Sequence, residues 1–139
     1  MEKECIFCKI ISGDIPSFKI FEDDNYLAFL DRSQFTKGHT LVVPKKHYSF
    51  VWDVIEIDDY ISIVQKISNN FRRKGFKYVD SLIFGRDVHH AHIHLLPHNG
   101  DLNDYNKALN IFGAMSSDNS RWPTNEIGNK IVSDYKYEE

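Results

Sequence analysis

The stretch Val88-His89-His90-Ala91-His92-Ile93-His94-Leu95-Leu96-Pro97 alternates imidazole and apolar side chains through its centre. In an extended strand successive side chains point to opposite faces, so His90, His92 and His94 would line one side while Ala91, Ile93 and Leu95 pack behind them. The spacing predicts a strand over His89 to Leu96, stopped by Pro97, which has no N–H to donate to a ladder. Three imidazoles on one face suit three readings: nucleophilic or acid–base chemistry, a metal site built on His-x-His, or satisfied structural side chains. Five of the chain's seven histidines fall between residues 89 and 98, and the local pattern alone leaves those readings open.

Working outward, Asp80 to Phe84 reads as a second strand joined to the first at Gly85. Before it, Ile57, Tyr60, Ile61, Val64, Ile67 and Phe71 recur at helical spacing, with Asp58 and Asp59 suited to the first turn and Arg72-Arg73-Lys74 to the last. Gly38 to Pro44 is a β-branched run that Pro44 ends. Phe18 to Glu22 and Tyr26 to Asp31 flank Asp23-Asp24-Asn25 as a hairpin would. Cys5 to Ile11 reads as a helical turn closed by Ser12-Gly13-Asp14-Ile15-Pro16. Beyond Asn99, Leu102 to Phe112 has weak helical character, Ser116 to Ser120 reads as a loop, and Thr124 to Tyr135 suits a helix. The expected architecture is α+β: an antiparallel sheet of about five strands, one long helix and a short N-terminal helix. At 139 residues and 16.3 kDa the chain, 1–139, fits a single domain, with 99–139 as a C-terminal appendage.

Composition narrows the function. A formal charge of -3 without a basic stripe lacks the electrostatic footprint of a nucleic-acid binder. No run approaches the roughly 18 apolar residues of a membrane span, and the N-terminal MEKECIFCKIISGDIP has no signal-peptide core, so a cytoplasmic location is expected. Small ligands are favoured over polymers. The two cysteines, Cys5 and Cys8, lie three positions apart, a spacing that points to metal or redox work in a reducing compartment.

His90-x-His92-x-His94-Leu95-Leu96 resembles the signature of the histidine-triad (HIT) superfamily. Cys5 to Ile11, Ile15-Pro16, Phe21 to Asp24, Leu27 to Asp31 and Gly38 to Lys45 resemble its nucleotide-binding, Hint-like branch in the same order, so the resemblance covers roughly 5–98. It implies a hydrolase or transferase that acts at the α-phosphate of purine nucleotide derivatives. His92 would be the nucleophile, forming a nucleotidyl-histidine that water then hydrolyses. An imidazole is suitable because its neutral form is well populated at neutral pH. The resemblance further implies that His94 and nearby main chain bind phosphate oxygens and that a backbone carbonyl holds the ring of His92. Asp31 would accept hydrogen bonds from the ribose hydroxyls. Phe7, Ile10, Ile15 and Phe29, with Leu30 beside them, would form a slot for the base, although each also suits plain core. His39 resembles an orienting group beside the nucleophile.

Cys5, Cys8, His47 and His90 match the zinc site of many bacterial-type members, which two thiolates and two imidazoles would close as a structural site. His98 is a substitute ligand candidate. One departure stands before the triad, where the family's Gly-Gln pair is replaced by Gly85-Arg86 followed by Asp87. Arg86 and Asp87 are therefore carried as candidate phosphate-side contacts, or as a solvated surface pair. Another is Val79 to Phe84, where relatives often carry an Asn and a Gly. Nucleoside phosphoramidate hydrolysis is the preferred activity, with dinucleoside polyphosphate cleavage or a zinc-stabilised nucleotide-binding module as alternatives. A symmetric homodimer is implied by resemblance alone.

Overall fold

The computed structural model describes residues 4–100, 120 and 123–138. The chain divides into two compact units, Met1–Tyr105 and Asn106–Glu139. The first holds α1 (Ile6–Ser12), β1 (Lys19–Glu22), β2 (Tyr26–Leu30), β3 (Thr40–Pro44), a 3₁₀ turn (Val51–Asp53), α2 (Ile57–Arg73), β4 (Tyr78–Leu82) and β5 (Ile93–His98). Its five strands form one antiparallel sheet in the order β1-β2-β3-β5-β4, the α+β arrangement expected.

The β1–β2 turn follows from Asp23, whose Oδ1 accepts the backbone N–H groups of Asn25 at 2.8 Å and Tyr26 at 2.7 Å, a side chain standing in for a turn carbonyl. Strands β2 and β3 are buried on both faces, and alternate residues go to different cores. Tyr26, Ala28, Val42, Ile93 and Leu95 face α2 and pack with Tyr60, Ile63, Val64, Ile67 and Phe71. Leu27, Phe29, Leu41 and Val43 face α1 and pack with Phe7 and Ile10. The Tyr60 hydroxyl donates to the Val42 carbonyl, which fastens α2 to the sheet centre. Helix α2 buries Ile63 where the sequence suggested Ile61, which is 44% exposed; at about 100° per residue, position 63 falls among 60, 64 and 67.

Two strand boundaries differ from expectation. Strand β5 begins at Ile93, so His89 to His92 lie outside the ladder, and it continues through Pro97 to His98. Pairing with β3 ends at Thr40↔Leu95, so Pro97 sits where β4 is the only neighbour and one side of the strand has no ladder to interrupt. Strand β4 spans Tyr78–Leu82 instead of Asp80 to Phe84, its pairing with β5 ending at Leu82↔His94. Gly38, at φ +97°, enters β3 in the left-handed region, and a Cβ there would meet Pro97 Cγ at 3.1 Å.

In the second unit, α3 (Asn125–Tyr135) starts at Thr124, whose hydroxyl accepts the Ile127 N–H at 3.3 Å as an N-cap. Thr124 to Tyr135 thus forms the helix that its sequence suggests. The readings of Leu102 to Phe112 and of Ser116 to Asn119 fall outside the described residues. Among the described residues no helix is long and apolar enough to cross a membrane.

Candidate active site and metal cluster

Register places His94 opposite Leu41, and Leu41 opposite Phe29, so His94 belongs to the α1 face of the sheet. Only His94 of the three triad imidazoles is on a strand; His90 and His92 precede β5 in an irregular segment, a correction to the expected three-histidine strand. This segment is fixed by other bonds: the Ala91 N–H donates to the Tyr48 carbonyl at 2.7 Å. His92 Nδ1 lies 2.7 Å from the His90 carbonyl oxygen. A carbonyl only accepts, so Nδ1 carries the proton and Nε2 is left with the lone pair. Phe7 meets the His92 ring edge-on with centroids 5.0 Å apart, and His94 flanks its other neighbour position at 5.2 Å.

A second relay runs behind. His39 is 1% exposed; its Nδ1 donates to the Ser33 carbonyl at 2.9 Å, and its Nε2 faces His94 Nδ1 at 2.9 Å. Asp31 Oδ1 accepts the Ser33 N–H at 2.7 Å, while Oδ2 stands 3.7 Å from His39 Nε2. Burial, followed by the neighbouring rings of His92 and His39, pushes the His94 pKa down to about 4 against the pull of Asp31, so its imidazole is neutral at physiological pH.

A cavity of about 530 Å³ is lined by Phe7, Ile10, Ile15, Phe29 and Leu30, the candidates for the base slot, together with Asp31, the candidate for ribose. Leu41 and Val88 are also in its wall, and Arg32 and Gln34 add polar groups that the sequence did not single out. The Gln34 amide donates to the carbonyls of both Asp31 and His39, and its oxygen accepts the Gly38 N–H at 2.9 Å, which shapes the loop from β2 to β3. Its setting among turn residues is the one sequence signal that it holds a loop. Phe84, which reads as a strand end, instead stands edge-on to His94 at 5.5 Å. Arg86 and Asp87 are exposed in the β4–β5 loop; neither lines this cavity, and among the described residues no ion pair joins them.

Cys5 caps α1, and one helical turn places Cys8 beside it, its N–H donating to Cys5 Sγ at 3.3 Å. His47 follows the end of β3 and His90 precedes β5. His90 Nδ1 lies 3.3 Å from Cys5 Sγ, 3.5 Å from Cys8 Sγ and 3.1 Å from His47 Nδ1, and His47 Nδ1 lies 3.4 Å from Cys8 Sγ. His90 Nε2 donates to the Pro44 carbonyl at 2.8 Å, which turns the Nδ1 lone pair toward the sulfurs. Four donor atoms thus converge within 4.8 Å of one another, and the set can hold a metal ion. His98 does not belong to it: at the far end of β5 its Nε2 lies 2.9 Å from Asp80 Oδ2 and its Nδ1 accepts the Gly100 N–H.

Fold and site together define an α+β protein of the histidine-triad class. Comparison with known proteins agrees. A family model described as HIT domain matches residues 12–101. The chain is 43% identical over 106 residues to Protein hit of Bacillus subtilis, across 70% of this chain and 73% of that one. It is 33% identical over 101 residues to an adenosine 5′-monophosphoramidase of Saccharomyces cerevisiae, across 70% of this chain and 64% of the yeast protein. The crystal structure of a Zn-bound histidine triad family protein from Mycobacterium smegmatis superposes with a TM-score of 0.65 at 36% identity, covering 73% of this chain and 81% of that one. The chain belongs to the HIT family.

Proposed function

We propose that the protein hydrolyses purine nucleotide derivatives at the α-phosphate, with nucleoside phosphoramidates as the preferred substrates and His92 as the nucleophile. The observation that carries this reading is the 2.7 Å bond from His92 Nδ1 to the His90 carbonyl, which fixes the tautomer and leaves Nε2 as the attacking atom. The Nε2 lone pair forms a bond to phosphorus as the bond to the leaving amine breaks and the amine takes up a proton from solvent, which the hydrolytic water of the second step gives back. Water then attacks phosphorus, the P–N bond to His92 breaks, and nucleoside monophosphate leaves with the imidazole regenerated. The His94 Nδ1–H is given to His39 Nε2, so phosphate oxygens are bound by nearby main-chain N–H groups and by His94 Nε2 once it takes up a proton with the anionic substrate; Asp31, an acceptor-only group on the cavity wall, takes the ribose hydroxyls. The apolar cavity receives the base. The yeast relative's phosphoramidase activity supports the choice of substrate class. Arg86 and Asp87 act on the leaving-group side of the β4–β5 loop.

Zinc is the metal assigned to Cys5, Cys8, His47 and His90. Tetrahedral bonds of about 2.0–2.3 Å set ligand atoms roughly 3.3–3.8 Å apart, and the donor separations here, 3.1 to 3.5 Å, fall close to that range. A closed S₂N₂ set leaves no position for substrate, so zinc supplies structure. The protein is assigned to the cytoplasm as a homodimer, with β4 the outer strand of the described sheet.

The test is AMP release from adenosine 5′-phosphoramidate by wild type and His92→Ala, with zinc content measured on both. Turnover in the wild type that vanishes in the variant while zinc stays is the expected result. Absence of wild-type turnover on this substrate and on a diadenosine polyphosphate overturns the hydrolase reading in favour of a binding module.

A further inference from the structure

We propose that Asp31, His39 and His94 form a second metal site, selective for a divalent first-row transition-metal ion, whose occupation excludes ribose from Asp31. One ligand atom from each of the three residues lies within 4.8 Å of the other two, and His39 Nε2 stands 3.7 Å from Asp31 Oδ2 and 2.9 Å from His94 Nδ1. Metal–nitrogen bonds of about 2.0–2.1 Å put two ligands of one ion roughly 2.9–3.4 Å apart, and the two imidazole nitrogens here are separated by 2.9 Å. Two imidazoles and a carboxylate are the donor mixture that suits iron, cobalt, nickel or zinc in preference to magnesium or calcium.

Proton accounting supports the same conclusion. His39 Nδ1 faces the Ser33 carbonyl and must donate to it, so Nε2 of the neutral ring is a lone pair. Asp31 Oδ2, 3.7 Å away, is also an acceptor, and Asp31 Oδ1 is already taken by the Ser33 N–H. Two acceptors therefore face one centre, with His39 1% and the Asp31 side chain 17% exposed. A single N–H from His94 Nδ1 can satisfy His39 but leaves Asp31 Oδ2 without it; one cation serves all three. His39 also carries the outer-shell bond typical of ligating histidines, the ring N–H given to a backbone carbonyl, just as His90 gives its own to Pro44. Three ligands leave the coordination open, and Asp31 lines the large cavity, which gives an ion a path from solvent. This site shares no ligand with the Cys5, Cys8, His47, His90 set, so the two ions bind independently.

The metal site stands on geometry alone; only the competition with ribose rests on the function proposed above. The experiment is titration of Co²⁺ into the full chain carrying one equivalent of zinc, the amount that the Cys5, Cys8, His47, His90 set takes up, followed by calorimetry and visible absorption, with and without AMP. One further equivalent of Co²⁺ is expected, lacking the thiolate charge-transfer band that replacement of the first metal would produce. Asp31→Asn, which keeps an oxygen for the Ser33 N–H, and His94→Gln should each weaken that equivalent by at least about tenfold. AMP should raise the apparent Kd for Co²⁺. Binding of no second equivalent, or one undiminished in both variants, overturns the site. A retained second equivalent that AMP does not disturb overturns the exclusion of ribose, and the phosphoramidate assay judges the hydrolase reading separately.

Discussion

The two faces of the sheet use the same strands for different ends. On the α2 face Ala28, Val42, Ile93 and Leu95 meet a helix and close into dry core, while on the α1 face Phe29, Leu41 and His94 look toward a shorter helix and an open cavity. Residues one apart in β5 thus serve packing and chemistry in turn. The lesson is that strand parity separates stability from function, and that substitutions at adjacent positions should have opposite phenotypes.

The sharpest break of that comparison is His92→Ala, which should lower kcat on adenosine 5′-phosphoramidate by on the order of 10⁴ or more while the urea midpoint moves little; steady-state assays and equilibrium unfolding on one preparation check both halves. Stripping the metal from Cys5, Cys8, His47 and His90 should lower stability by on the order of 4 kcal/mol, the figure for a ligand present at a thousand times its Kd, read as a fall in Tm that added zinc reverses. Ile93→Ala, one residue from the chemistry but on the α2 face, should cost about 2–5 kcal/mol in urea unfolding with kcat per folded molecule unchanged. A large fall in kcat there would mean that the faces are coupled. Gly38→Ala should cost about 1–3 kcal/mol, because it places a Cβ at φ +97° against Pro97. The smallest effect concerns pH. His94 titrates near 4 in the folded protein against an ordinary 6.5, so the unfolded chain takes up its proton first. Stability should therefore fall as pH drops from 6.5 toward 4 and level off below, and His94→Gln should flatten that slope in denaturant titrations at pH 4.5 and 7.

Elements with a strong local signal were legible in the sequence. Asp23 announced its hairpin, the charges at either end of α2 marked its termini, and Cys5-x-x-Cys8 marked one half of a cluster whose other half lay far along the chain. Alternation around His92 looked like a strand, yet strand assignment requires a neighbour, and the β3 ladder reaches only to Ile93. Pro97 misled for the converse reason: it lacks a donor, but at that position the ladder on one side has already ended. The roles of Gln34 and Phe84 could not be read, because an amide in a turn and an aromatic near a strand end acquire meaning only from groups brought to them by folding.

Helix α1 has seven residues, and helices below about 12–15 residues are marginal by themselves in water. Its docking depends on Phe7 and Ile10 at the cavity and on sulfur atoms at its first turn. Amide protons of α1 should therefore exchange with solvent through local openings that leave the sheet intact, and bound metal should slow them selectively. The wall that Phe7 supplies to the cavity and to the ring of His92 would open with them, so hydrogen exchange in this one helix reports how often the pocket has a complete shape.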